Sequence, residues 1–382
     1  MSEGRSRTKF SGRVANVLLL LGTLALLLPL AEIVVQFVRP QTLPSQSFIR
    51  GFVLKGMYVA DEKTGFRLAP GFHGRIERSG VVTEFTTNSM GLRDDEIGPK
   101  HPGRVRVVAL GDSFTWGWGA AQGEEWISVV EKTLNEKAGR DTVECINAGV
   151  NAYGTENELE LLREIGPELS PDLVLVGFFA NDYTDNVLGA TGVYTVKDGY
   201  LHDHFSQKMF RENFLARESH LYRLITRALG EAQRRWKHVP PTTQPLKQFT
   251  EEEFEQGMQL AETHLLAMQK ECEALGAQLA VIWLPADVYA LSREAPDIPL
   301  QRELQRRIDD AGIPSLDLLP VVRAEQNVSG LYIRSDGHFT ARGNKVAGRV
   351  VAKWLDESGL LRKRGPDRSV AGAPLRGTPP RS

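Results

Sequence analysis

From residue 104 onward the chain alternates short, continuous apolar runs with stretches that carry an apolar face at helical spacing. "RVRVVAL" is followed by "EEWISVVEKTLNEKAG", then by "VECINAG", "TENELELLREIG" and "DLVLVGFF". Strands that read as unbroken apolar runs are buried on both faces, which calls for a parallel sheet covered by helices on either side. The alternation resumes after residue 250 with a helix to 275, the run "QLAVIWLP", a helix near 300–311, "PSLDL", and an amphipathic stretch from Ala341 to about Leu360. The pattern predicts an α/β domain over residues 104–361 with a central parallel sheet.

Two segments fall outside this rhythm. Residues 40–103 hold turn residues and alternating pieces such as "VVTEFTTNSMGLRDDEI", the pattern of a β-rich extension ahead of the domain. Residues 184–249 form an insertion, in which "GVYTVKDGYL" has the form of a hairpin turning at Lys197-Asp198-Gly199. Within it, "SHLYRLITRALGEAQRRW" carries the spacing of an amphipathic helix. Ligands of open α/β sheets bind at the carboxyl ends of the strands, so an insertion leaving there reads either as a lid or substrate cleft, or as a packing appendage. Residues 362–382 are rich in Pro, Gly and Arg without apolar periodicity, and disorder is expected there.

The long apolar run lies near the start, from Val17 to Val38. That is about the ~20 residues needed to cross a bilayer. Arg5, Arg7, Lys9 and Arg13 precede it and favour an amino terminus held in the cytoplasm. A cleaved signal peptide is the alternative. Pro29 stands where the site before Ala31 wants a small residue, and the run continues past Glu32, so residues 1–39 read as a cytoplasmic tail and an uncleaved anchor. This places the domain outside the cytoplasm, with the lipid bilayer as a partner through the helix and Glu32 near the outer end of the span. A formal net charge of -2 gives no reason to expect nucleic acid. Cys145 and Cys272 show no metal-ligand spacing and read as buried thiols.

Polar groups gather where the strands end. Ser113 follows the first run in "GDSFTWGWG", "NAGVNAYG" follows the second, "FFANDY" the third, and "SDGHFTARGN" stands ahead of the last helix. A serine hydroxyl needs a base to take its proton, and His338 is the candidate, since a neutral imidazole is available near pH 7. Acyl transfer also needs donors aimed at the developing oxyanion. The backbone N–H groups of Ser113 and Gly149 and the side-chain amide of Asn181 are the candidates. Taken singly each residue has a plainer role: Ser113 as a helix cap, Asn181-Asp182 as an Asx turn, His338 as a surface or capping histidine. Asp112 reads as a turn-stabilising residue, and Trp116 and Trp118 as either pocket lining or core. "HDH" at 202–204 lacks an evident third metal ligand.

In order and spacing these blocks resemble the SGNH subgroup of the GDSL hydrolase family. The resemblance carries the nucleophile role onto Ser113 in "GDSFT" and the oxyanion roles onto Gly149 in "NAGV" and Asn181 in "GFFANDY". It carries the base role onto His338 in "DGHFTARGN", with Asp336 as orienting carboxylate. It implies a flavodoxin-like three-layer α/β/α sandwich, and ester hydrolysis or acyl transfer with neither metal nor organic cofactor. The segment "TNSMGLRDDE" also resembles an extension of membrane-anchored bacterial members. One spacing departs from the pattern: the family's aspartate usually stands three residues before the histidine, and Asp336 stands two before.

The reading is an extracytoplasmic serine esterase acting on O-acyl groups, chiefly O-acetyl, of cell-envelope or secreted carbohydrate, on the outer side of a bacterial inner membrane. Two alternatives remain at this point. One is an O-acyltransferase that passes the acyl group to a glycan from the same Ser/His site. The other is a catalytically silent glycan-binding or assembly protein, against which the presence of Ser113, Gly149, Asn181 and His338 argues.

Overall fold

The computed structural model describes residues 12–38, 54–78, 81–189, 194–197, 199–203, 215, 219–222, 224–226, 228–229, 250–292, 299–334 and 336–362. The expected disordered tail beyond residue 362, Asp198 of the hairpin turn and His204 of "HDH" lie outside them. The chain opens with helix α1 (Gly12–Val38), long and apolar enough to cross a bilayer, and exposed over almost all of its surface. Two antiparallel pairs follow, β1 (Tyr58–Asp61) with β2 (Gly65–Leu68), and β3 (His73–Arg78) with β4 (Val81–Thr86).

The α/β alternation then runs β5 (Val105–Gly111), α2 (Ser113–Trp116), α3 (Trp126–Ala138), β6 (Val143–Asn147), α4 (Thr155–Leu169), β7 (Leu173–Phe178) and α5 (Asp182–Leu188). A hairpin of β8 (Tyr194–Lys197) and β9 (Tyr200–Asp203) comes next. The second half contains α6 (Glu251–Leu275), β10 (Gln278–Trp283), α7 (Asp287–Leu291), α8 (Pro299–Asp310), β11 (Ser315–Asp317), α9 (Leu319–Ala324) and α10 (Ala341–Ser358).

The five strands of the main sheet are parallel in the order β11-β10-β7-β5-β6. They are the five apolar runs of the sequence, and β7 is buried at every position. Apolar side chains on both faces force helices onto both sides. One core layer joins Val108, Leu110, Ile146 and Val176 to α4, α6 and α8; the other joins Val107, Ala109, Leu175 and Ile282 to α3, α9 and α10. This is the three-layer, flavodoxin-like arrangement expected. The chain reverses its direction of travel across the sheet between β5 and β7, and such a switch point opens a crevice at the carboxyl ends of the strands. Gly111 of β5 pairs with Gly177 of β7, and Ser113 lies two residues beyond.

The N-terminal extension shares the domain's core, since Met57, Phe66 and Phe85 belong to the same buried cluster as Val108 and Leu110. The β8–β9 hairpin sits against that extension. Gly56 donates its N–H to Gly199 O at 2.6 Å, and the Tyr194 and Phe66 rings meet edge to face with centroids 5.6 Å apart. Cys145 and Cys272 are free thiols, both buried.

Candidate active site

Ser113 is the first residue of α2, directly beyond the switch-point strand. Asp112 caps this short helix, its Oδ1 accepting from the Phe114 N–H at 2.8 Å, which fixes the direction of the serine side chain. The Ser113 hydroxyl lies 2.7 Å from His338 Nε2. His338 Nδ1 in turn meets Asp336 Oδ1, so the hydroxyl, imidazole and carboxylate form one continuous hydrogen-bonded chain. The imidazole keeps a small exposed edge, whereas the Asp336 carboxylate is buried.

The two-residue spacing works because of a tight loop. The Ile333 carbonyl accepts the N–H groups of both Asp336 and Gly337, and the Ile333 N–H returns to His338 O at 2.8 Å. Gly337 has φ of +88°, a conformation that side-chain-bearing residues rarely adopt. The backbone therefore doubles back between Asp336 and His338, and their side chains meet. Aromatic rings pack the imidazole in place: the Phe114 centroid is 4.9 Å from it and the Trp118 centroid 6.0 Å. Trp116 is fully buried against Phe85 and is core.

The expected oxyanion donors reach the same strand ends with different freedom. The Ser113 N–H has no hydrogen-bond partner among the described residues. The Asn181 amide donates to Asp185 Oδ2 at 2.8 Å and also lies against the Asp112 carboxylate. The Gly149 N–H points elsewhere. It donates to Asn147 Oδ1 at 3.0 Å in its own loop. Its missing Cβ serves packing, since a carbon there would stand 2.3 Å from Trp116 N. Three residues on, Ala152 is held at φ of +66°, one of two non-glycine residues at positive φ among those described, and its N–H has no partner among them. Strained backbone of this kind clusters at functional sites.

Beneath Ser113 lie three carboxyl groups with almost no solvent contact. Burial pushes Asp112 up to about 6, although the nearby His338 pulls it back. Glu158 on α4 and Asp182 on α5 are raised well above the usual carboxylate range, first by burial, then by Asp112 for Glu158 and by Glu158 and Asp112 for Asp182. Both Glu158 oxygens lack a hydrogen-bond partner among the described residues. No group of three metal-ligating side chains occurs among the described residues.

A profile of the GDSL-like lipase/acylhydrolase family matches residues 109–346, more than half of the chain. The chain belongs to that family. It is a serine ester hydrolase of the GDSL type. No curated protein matches it. Among solved structures it is similar to a lipase/acylhydrolase from Enterococcus faecalis at 15% identity, over 66% of this chain and 96% of that one, with a TM-score of 0.40. It is also similar to TesA, at 14% identity over 66% and 98% with a TM-score of 0.41. A third is the psychrotrophic esterase EstA from Pseudoalteromonas sp., at 15% identity over 66% and 98% with a TM-score of 0.38.

Several residues around this GDSL site were not singled out by their sequence pattern. Arg93, in the extension, is buried and donates to the carbonyls of Trp116, Gly117 and Ala120, each at 2.8 Å, while pairing with Glu125 at 2.9 Å. It thus braces the segment that follows Ser113. Asp94 accepts the Asn147 N–H at 2.7 Å and so holds the loop carrying Gly149 and Ala152; loss of solvation pushes its carboxyl up to about 7. Asp287, at the start of α7, is held above the usual carboxylate range by burial, only partly offset by the Val288 N–H and the nearby His338, and so is a second carboxylate on the histidine side of the site. The only sequence signal for Asp287 is its place after the β10 run in "WLPADVY".

Proposed function

We propose that Ser113, His338 and Asp336 are the nucleophile, general base and orienting carboxylate of this GDSL hydrolase. We further propose that its substrates are O-acyl esters, chiefly O-acetyl esters of cell-envelope or secreted carbohydrate. The observation that carries the first part is the unbroken hydrogen-bonded chain from Ser113 Oγ through His338 to Asp336 at the switch point of the sheet.

In the reaction, Ser113 Oγ attacks the ester carbonyl as His338 Nε2 takes its proton. The Asp336 carboxylate fixes the imidazole tautomer and stabilises the imidazolium. The oxyanion is held by the Ser113 N–H and the Asn181 side-chain amide. The loop after β6 supplies its donor through Ala152 in place of Gly149, whose N–H is occupied by Asn147. His338 passes its proton to the departing alkoxide, which leaves as the alcohol. A water molecule then attacks the acyl-serine, giving its proton to His338, and the carboxylic acid departs as Ser113 is restored. The aromatic packing of Phe114 and Trp118 against His338, with Phe179 stacked on Phe114, supports a small acyl group. The α1 helix and the basic residues ahead of it support a domain facing outward. A reporter enzyme active only in the cytoplasm, fused after Leu361, is expected to be silent; activity would reverse the orientation.

Full-length protein in detergent, given an O-acetylated polysaccharide, is expected to release acetate with water as the acceptor. Release from p-nitrophenyl acetate should exceed that from the decanoate ester. Accumulation of newly acetylated glycan acceptor in place of free acetate would establish the transferase alternative.

A further inference from the structure

Beyond the β8–β9 hairpin, the helical residues of the insertion make a contact that their sequence does not announce. Residues 220–222, 224–226 and 228–229 are helical, and the start of this segment is bound to Glu32 of α1. Glu32 Oε2 accepts from the Ser219 hydroxyl at 2.6 Å and from the Leu221 N–H at 3.0 Å, and Oε1 accepts from the His220 N–H at 2.7 Å. The Tyr222 N–H is taken by Ser219 Oγ at 3.0 Å. The carboxylate therefore satisfies the open donors of a helix start 187 residues away in sequence. Between Val14 and Val38 only Ala31, Glu32 and Val35 are partly covered, all on this side of α1.

From that anchored turn an apolar stripe runs outward at helical spacing: Leu221, Leu224, Ile225, Ala228 and Leu229. Its first part is half-buried, whereas Ile225 and Leu229 are 48% and 64% exposed. Glu32 lies six residues before the end of α1, about 9 Å along the helix axis. Amphipathic helices that lie on membranes bury their apolar face roughly 5–10 Å into the boundary between headgroups and acyl chains.

Resting on the reading of α1 as a membrane anchor, we infer that the helical residues 220–222, 224–226 and 228–229 lie at the membrane interface, with Ile225 and Leu229 in the outer headgroup and acyl boundary of the bilayer, held at that depth by the Glu32 cap. The occupant of the exposed stripe is lipid, because the segment begins against a residue inside the span of the anchor. A carboxylate at that depth is costly unless its hydrogen bonds are met, and this cap meets three. The arrangement ties the insertion to the membrane plane.

The test uses full-length protein in vesicles of phosphatidylcholine and phosphatidylglycerol, with a bimane label on single cysteines at Leu24, Phe37, Val82, Ile225 or Leu229. Native Cys145 and Cys272 are buried and out of reach of the reagent. Labels at Ile225→Cys and Leu229→Cys are expected to be quenched by a nitroxide near the top of the lipid acyl chain, as strongly as Phe37→Cys. Val82→Cys, at an exposed position of β4, should respond to aqueous iodide only. Glu32→Ala is expected to abolish lipid quenching at 225 and 229 while leaving that at Leu24→Cys intact. Iodide-only quenching at 225 and 229, with Leu24→Cys still quenched from lipid, would overturn the interfacial helix and leave the anchor standing. Unchanged lipid quenching in Glu32→Ala would overturn the cap as its tether. Absence of lipid quenching at Leu24→Cys would overturn the anchor and the inference with it.

Discussion

Asp336 reaches its imidazole across a single residue, and the geometry of Gly337 is what allows it. A carboxylate in this position stabilises the charge that forms on the ring during attack, so Asp336→Asn, which keeps the side chain's size, is expected to lower turnover by roughly 10⁴. Ester hydrolysis by a variant whose melting temperature matches the parent checks this; near-normal turnover would reduce the site to a Ser113–His338 dyad. The buried carboxyls beneath Ser113 make a separate prediction about stability. Glu158 has a raised pKa in the folded protein, so the native state holds its proton at pH values where the unfolded chain has released it. Stability therefore falls as pH rises from about 4, the unfolded value. Glu158→Gln removes that dependence and should raise the melting temperature on the order of 3 °C at pH 8, with little change at pH 4. Equal shifts at both pH values would show that Glu158 is not protonated in the folded state.

Among the elements, the extension that reads as a separate β-rich piece is tied into the site by one side chain. Arg93 spans from the extension to three carbonyls after Ser113, and its guanidinium stands 4.3 Å from the Trp116 ring. Replacing it by Met leaves the buried Glu125 carboxylate without its charged partner, although Gly123 N–H and the Ser128 hydroxyl still donate to it, a loss of about 3–5 kcal/mol. Arg93→Met should therefore melt earlier and lose turnover. The double variant Arg93→Met, Glu125→Leu should regain much of the stability, because it no longer buries a lone charge. Thermal denaturation of the three proteins, with ester turnover alongside, measures both effects; no recovery in the double variant would show that Arg93 acts through its carbonyl contacts alone. The motif "GLRDDE" is plain in the sequence, yet its destination is not. Arg93 finds its partners only when β1–β4 fold onto the sheet, a long-range event with no local periodicity to announce it.

Across the whole molecule, the parts legible in the sequence are those governed by local pattern. Strands buried on both faces appear as apolar runs, and the segments at their carboxyl ends carry Ser113 and Asn181, while His338 comes from the loop ahead of the last helix, so sheet class and the nucleophile's position follow from one another. What escaped was set by side chains that compete for a backbone group. The Gly149 N–H looks available until Asn147 folds back onto it, and Glu32 looks like a tolerated charge until it caps a helix far along the chain. The insertion shows the same limit, its amphipathic spacing being readable but not the surface it meets. Activation of Ser113 by His338 in a working serine hydrolase site underlies the expectations for turnover. Treating the full-length protein in detergent with a fluorophosphonate probe and locating the adduct by mass spectrometry tests it directly. One adduct is expected, on Ser113, lost in Ser113→Ala and strongly reduced in His338→Ala; no labelling of the folded parent, or equal labelling of Ser113→Ala, would overturn that activation.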